Sequence, residues 1–441
     1  MKKVLTIVFV FCLGSAIAQN SLQLSLDEAI AYAVSHQPQL QNYMLDKEIA
    51  SARNFESIAK YLPKLNGTVD LRDNLKLGEI ALKFPDPLTG QEKDMRIQQG
   101  TKYSGTAGID LNMPLLDMGA VSDIRLTKQQ QMLSEAQLQM ALIDVKWNVS
   151  RAYYSTLLNE MRMSKVQKSV QRMQNFYDDT KVRYDNQNAI KTELNRAYLN
   201  LENAKFQLKA AQDSVITSRL ALLQVIGAPL ESTLVLTDKL PPLETVALLA
   251  EATEVKTAEL NRYELRAELL QMGVGKMQLR KINWQYMPTL NGYGYIGGQG
   301  LANDNLFNKD KWFWTSYIGL RLNVPVFDGL QKAALAKQQK LAIQKSENNQ
   351  RQIKSNIAYQ VQSAQINYNN AAANVQLLKK NIALAEEIVA DVNVRYNNGF
   401  ATYQEVLDAE NTLKETEYNY LQSTFAFLLV ELEWKKANGK L

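Results

Sequence analysis

VSDIRLTKQQQMLSEAQLQMALIDVKWNVSRAYYSTLLNEMRMSKVQKSVQRMQNFYDDTKVRYD, residues 121–185, holds neither proline nor glycine, and neither occurs anywhere from 120 to 226. The stretch is dense in Leu, Gln, Ala, Lys, Glu and Met, all good helix formers. A single rod through 120–185 would reach roughly 100 Å, at about 1.5 Å per residue. No globular core is that thick, so such a rod must pack sideways on other rods. Residues 330–398 repeat the pattern, again without proline or glycine.

Other stretches recur as well. Tyr61-Leu-Pro-Lys-Leu-Asn-Gly67 returns as Tyr286-Met-Pro-Thr-Leu-Asn-Gly292, and Leu111-Asn-Met-Pro-Leu-Leu-Asp117 as Leu322-Asn-Val-Pro-Val-Phe-Asp328. Val182-Arg-Tyr-Asp-Asn186 returns as Val394-Arg-Tyr-Asn-Asn398. The order is the same both times, and the offsets of 225, 211 and 212 differ only by loop length. The chain therefore reads as an internal twofold repeat, 19–227 and 228–441. Each half runs helix, strand, loop, strand, very long helix, tip, long helix. The first opens at a capping-box pattern, Ser25 to Glu28, and breaks near Pro38. Its long helices are expected at about 119–185 and 190–226, and the second half's at about 329–397 and 402–437.

Between the helices the period changes to two. Leu65, Val69 and Leu71 alternate with Asn66, Thr68, Asp70 and Arg72, predicting a strand over about 63–77. Residues 85–100, with two prolines and many charges, read as a polar loop. Tyr103, Ala107, Ile109, Leu111 and Met113 alternate with Ser104, Thr106, Asp110 and Asn112, predicting a strand over about 101–114. The second half offers a glycine-rich strand at about 288–298 and another at about 312–326, where Trp312, Phe313 and Trp314 cluster. Pro114 and Pro325 are expected at the strand-to-helix junctions. A small soluble sheet would bury one face. A membrane barrel would instead turn its apolar face to lipid and its Asp and Arg inward, with aromatics at a rim. Four strands cannot close a barrel, for which about eight is the minimum. The barrel reading therefore needs oligomerisation, and three copies would give twelve strands.

The ends fit an exported protein. Lys2 and Lys3, the apolar run 4–13 and the small-x-small site at Ala16 and Ala18 read as a signal peptide over 1–18. Without Lys2 and Lys3 the formal charge falls from +5 to +3, a balance that does not predict nucleic-acid binding. Cys12, the only cysteine, lies in that signal, so neither a disulfide nor a thiolate site is expected. The lone His36 reads as a helix-end residue, and Met161, Met163 and Met173 as helix packing rather than soft-metal ligands. Neither a phosphate loop nor a nucleophile elbow is present. No enzyme, cofactor or metal site is expected.

The duplicated Leu-Asn-x-Pro-x-x-Asp at 111–117 and 322–328, the sequence Arg395-Tyr-Asn-Asn-Gly399, and Glu405-Val-Leu-Asp-Ala409 together resemble the TolC-like outer-membrane efflux proteins. The resemblance covers essentially the whole mature chain. It implies a membrane α+β fold: a homotrimer whose twelve-stranded β-barrel, four strands per chain, continues as a long α-helical barrel through the periplasm. A belt is expected around the helices, from 228–257 and 433–441. The function implied is the exit duct of a tripartite efflux or type I secretion system. Its partners would be a periplasmic adaptor, an inner-membrane transporter and outer-membrane lipid.

By the same resemblance the helical tips close the duct and meet the adaptor, the contacts falling on Arg183, Tyr184, Arg395, Asn398 and Gly399. Glu405 and Asp408 match an acidic pair that rings the pore, and their spacing puts both on one helix face. Thr402 and Glu405 also form a capping-box pattern, so capping remains a second role for Glu405. Tyr396 matches a tip tyrosine and is expected to bond Glu193; ordinary hairpin packing is its other reading. Ala401 stands where the family pattern can hold arginine, and Arg196 is expected to pair with Asp408 instead. The rival class is a soluble periplasmic coiled-coil scaffold or adhesin, which accounts for the helices and not for the strands.

Overall fold

A computed structural model describes residues 21–85, 90, 92–239 and 255–441. The signal at 1–18 and the belt residues 240–254 lie outside the described residues. In chain order the elements are β1 (Ser21–Leu24), α1 (Leu26–His36), α2 (Pro38–Ala59), β2 (Lys64–Asp73), β3 (Gly78–Pro85), β4 (Glu92–Gln99), β5 (Tyr103–Leu116), α3 (Met118–Asp185) and α4 (Lys191–Ile226). There follow β6 (Thr233–Leu236), α5 (Val255–Asn261), α6 (Tyr263–Trp284), β7 (Thr289–Ala302), β8 (Trp312–Asn323), α7 (Gln331–Asn397) and α8 (Tyr403–Ala437). α3 has 68 residues and α7 has 67. The chain divides into two compact units that do not follow the sequence repeat. One joins Asp46–Glu135 to Ala267–Arg351, and the other holds the remaining segments.

The first unit contains a four-stranded antiparallel sheet in the order β2-β5-β7-β8. The register fixes its two faces. Leu65 lies beside Leu111, then Gly294, then Ile318; Val69 lies beside Ala107, Gly298 and Trp314. This face is apolar and open: Val69 is 75% exposed, Trp314 82% and Ile318 86%. The opposite face carries Thr68, Asp70, Arg72, Asp110, Tyr293, Tyr295, Tyr317 and Arg321. Among the described residues, the sheet is open at both edges, β2 and β8.

Four expectations need correction. The stretch at 85–100 is not simply a loop: β4 pairs with β3 as a ribbon, Ile80 beside Ile97 and Leu82 beside Met95. Asp94 and Arg96 lie on the ribbon's other face, beside Lys83 and Ala81. The first strand accordingly stops at Asp73 rather than near 77. Pro114 does not end its strand but lies inside β5 opposite Asn291, at a register shift that absorbs its missing donor. In the second half, the strand ends at Asn323, before Pro325.

The second unit is helical. Ser25 and Glu28 form the expected capping box at α1. β1 and β6 pair in parallel beside it. The Tyr153 hydroxyl, buried in the same cluster, lies 3.0 Å from Asp238 Oδ2 and 3.1 Å from the Leu24 carbonyl. Burial raises the Tyr153 pKa well above the usual phenol value. Gly227 caps α4 at φ 75° against the His36 carbonyl, a left-handed position that glycine alone fills without strain. His36 stacks on Tyr32, ring centres 4.0 Å apart, as a helix-end residue.

Candidate gate and channel wall

Two helical hairpins in the second unit turn at the repeated Val-Arg-Tyr sequence. After α3, the Asn188 amide returns to the Arg183 carbonyl at 2.7 Å; after α7, the Phe400 amide returns to the Arg395 carbonyl at 2.8 Å. Gly399, at φ 79°, makes the second turn possible, while Gln187, at φ 61°, bears the strain in the first. These closures present Arg183, Tyr184, Arg395 and Asn398 on the last turns before the tips.

Aromatic rings hold the two hairpins together. Phe176 of α3 lies 5.7 Å from Tyr396 and 5.2 Å from Tyr403. The Arg183 guanidinium sits 4.4 Å over the Tyr396 ring. Asn200 of α4 donates to the Tyr403 hydroxyl at 3.0 Å. Burial raises the Tyr403 pKa; the fields of Arg196 and Glu193 act on it in opposite directions.

Glu405 and Asp408 share an exposed face of α8. Thr402 caps that helix, its hydroxyl accepting from the Glu405 amide at 3.3 Å and donating to the Glu405 carboxylate at 3.1 Å. Capping and exposure thus coexist at Glu405. The Asp408 carboxylate accepts a surface bond from Gln404, at 2.9 Å. Among the described residues, one chain forms neither expected link between hairpins. Tyr396 gives its ring to Arg183 rather than its hydroxyl to Glu193, and Asp408 engages Gln404 within α8 rather than Arg196.

The ion pairs that cross between hairpins lie deeper. Lys165 meets Glu417 at 2.8 Å, and Arg172 meets Glu410 at 2.9 Å. Each helix places its two partners seven residues apart, on one face, in antiparallel order. Sequence reading missed these four; the matched spacing of seven on α3 and α8 was the available signal. Between the pairs lies Lys414, in a cavity of ≈ 490 Å³ whose walls include Arg162, Ser169, Gln207 and Tyr418.

Burial depresses the Lys414 pKa below the ordinary 10.5. The cost of holding its charge is fully present at neutral pH and fades as pH climbs through the folded value toward 10.5. Lys414→Met is therefore expected to raise the melting temperature at pH 7, with the gain over the parent narrowing toward pH 10.5. A gain that stays constant or widens with pH, in paired melting curves, contradicts this.

A four-stranded sheet in a chain whose helices reach 67 and 68 residues defines an α+β protein dominated by helix. Residues 29–228 and 255–428 match the family described as outer membrane efflux protein, and the chain belongs to that family. Outer membrane protein TolC of Vibrio cholerae is 20% identical over 100% of this chain and 96% of its own length. Alkaline protease secretion protein AprF of Pseudomonas aeruginosa is 23% identical over 71% of this chain and 66% of its own. Among solved structures, VceC of Vibrio cholerae superposes with a TM-score of 0.72 at 16% identity, covering 94% of this chain and 96% of that one. The MtrE outer membrane channel of Neisseria gonorrhoeae, in its open state, gives 0.73 at 18% identity, covering 96% and 93%. The family is one of outer-membrane efflux proteins.

Proposed function

We propose that three copies of this chain form an outer-membrane exit duct for an efflux or type I secretion system. The observation that carries this is the sheet of four strands, apolar on its open face and unpaired at β2 and β8. In hydrocarbon every backbone donor and acceptor must be paired within the protein, so an open edge cannot stay open. Joining β8 of one copy to β2 of the next leaves no edge. Three sheets then supply twelve strands, a size within the range of membrane barrels. The apolar face meets lipid and the polar face lines the bore. The helices continue the duct into the periplasm, where their tips receive an adaptor and, through it, an inner-membrane transporter. Residues 1–18 direct the chain to export and are then removed.

Glu405 and Asp408 are the constriction in this reading. Six carboxylates around one axis attract cations, as rings of acids do in other pores. Arg183, Tyr184, Arg395, Asn398 and Gly399 face the adaptor. Tyr396, Glu193 and Arg196 meet their expected partners across a subunit boundary. Gating is a shift between closed and parted tips, driven by whichever state the adaptor binds better.

The test is assembly and conductance of the mature chain, residues 19–441. It is expected to require detergent, to run as a trimer by light scattering, and to conduct in planar bilayers. Divalent cations are expected to block it from the tip side, and Asp408→Asn is expected to weaken that block about tenfold in concentration. A monomer that stays dissolved in plain buffer ends the proposal and favours the soluble scaffold. Equal divalent block in both proteins ends the constriction assignment alone.

A further inference from the structure

The polar face of the sheet is not uniform. Close to where β2 and β7 begin and β5 and β8 end, one row across it runs Lys64, Asn112, Tyr293, Gly319, and the next Asn66, Asp110, Tyr295, Tyr317. Arg321 follows on the other side of the first row.

The three tyrosines form a plate. Tyr295 and Tyr317 stack with centres 5.7 Å apart, and Tyr293 meets Tyr317 edge-on at 6.2 Å. The rings lie low because glycines leave room beneath them. A Cβ on Gly319 would come within 2.6 Å of the Tyr293 ring, and one on Gly108 or Gly297 within 2.6 Å of the Tyr295 hydroxyl. Tyr317 remains 55% exposed, and the Arg321 guanidinium lies 5.0 Å over the Tyr293 ring.

The charges on this face are paired unequally. Asp70 has Arg72 at 3.7 Å, and Asp110 accepts from the Thr68 hydroxyl at 2.6 Å. Among the described residues, Lys64 and Arg321 have no carboxylate partner. Two cations without a carboxylate partner therefore lie at the same end of the sheet as three low-lying rings, Arg321 directly over one of them.

We propose that this patch is a binding site for planar organic anions on the inner wall of the duct. A planar anion can lay its ring on Tyr317 while its charged group reaches the Arg321 guanidinium, whose own plane is already held by Tyr293. Tyrosine alone would accept any planar molecule, and arginine alone any anion; their juxtaposition selects for both properties. Trimerisation sets three such patches around the bore. The assignment rests on the reading that this face lines the bore.

Single-channel currents of the trimer test it, with the probe added to the chamber facing the strand barrel. 1-Naphthalenesulfonate carries the same charge as methanesulfonate but adds a planar ring. The expected result is that naphthalenesulfonate reduces the current at about tenfold lower concentration than methanesulfonate. Arg321→Gln is expected to erase that difference. Tyr317→Leu, at an exposed position, carries the same expectation and serves should Arg321→Gln not assemble. Equal action of the two anions on the parent channel overturns the proposal, because a cationic field alone would do that. A preference that survives both substitutions also overturns it. Channels that form and conduct while showing no preference leave the duct reading standing and remove only this site; a parent chain that forms no channel removes both.

Discussion

Gly297→Val will leave the chain unable to assemble its strand sheet, and almost no trimer will be recovered from membranes. Gly297 faces Gly108 across β5 and β7, near the middle of the longest pairing in the sheet. A Cβ there would stand 2.5 Å from the Ala107 carbonyl oxygen and 2.5 Å from the Gly108 Cα. Both are backbone atoms, so relief requires moving β5 away from β7 and breaking ladder bonds. Overpacking of side chains typically costs about 1–3 kcal/mol; a clash with backbone inside a ladder costs more. The Tyr295 ring, seated over the same glycines, would also be displaced. Gly67→Val is the control. It lies on β2 of the same sheet, with nothing within 4 Å of its Cβ position, and points to the apolar face. Valine suits a strand better than glycine, so this variant is expected to assemble as well as the parent. Comparable trimer yields for the two, by size exclusion in detergent, would refute the steric reading.

Much of this architecture was legible because it is written in periods. The proline- and glycine-free runs announced α3, α4 and α7 within a few residues. Alternation at Leu65–Asp70 and Ile109–Asn112 gave the faces of β2 and β5, since a period of two leaves no choice of which side chains share a side. The ribbon of β3 and β4 was obscured because Pro85, Pro87 and a run of charges are turn signals that also suit an exposed two-stranded ribbon. Pro114 misled for a related reason: a missing donor looks like a strand end unless a bulge can hide it, and bulges depend on the partner strand. At the tips, the acids and tyrosines could be found by resemblance, but their partners could not. Whether Tyr396 reaches Glu193 or lies under Arg183 is decided by the rotation of two helices about their axes. Sequence spacing fixes that rotation only within each helix. The plate of Tyr293, Tyr295 and Tyr317 shows the same limit, because it exists only once β7 and β8 are in register.

Glu410→Leu will loosen α8 from α3 far more than its conservative size suggests. The Glu410 carboxylate is 9% exposed, and its partner Arg172 is 31% exposed. The Arg172 Nη2 atom is already sealed from solvent with no acceptor. Removing the carboxylate leaves that guanidinium with neither a counter-charge nor full access to water, which is the costly way to break a buried pair. Because Arg172 keeps some solvent contact, the expected cost is about 2 kcal/mol, below the range for fully buried pairs. That corresponds to about thirtyfold more frequent opening, since about 1.4 kcal/mol is a factor of ten. The loss should be local, because Glu410 lies within the first turns of α8 after its Thr402 cap. Amide exchange over residues 403–412 should quicken while the strands keep their protection. Bilayer recordings should show more frequent openings if the tips are the gate. The double variant Arg172→Leu with Glu410→Leu discriminates charge from packing. With both charges gone nothing is left unpaired, so most of the lost protection should return. Lys165→Met should cost more than Glu417→Leu at the neighbouring pair, because it strands Glu417, only 10% exposed, whereas the converse change leaves Lys165, 36% exposed, within reach of water. Should the double variant exchange as fast as Glu410→Leu alone, the pair would not be an electrostatic latch, and the contact between α3 and α8 would rest on side-chain volume.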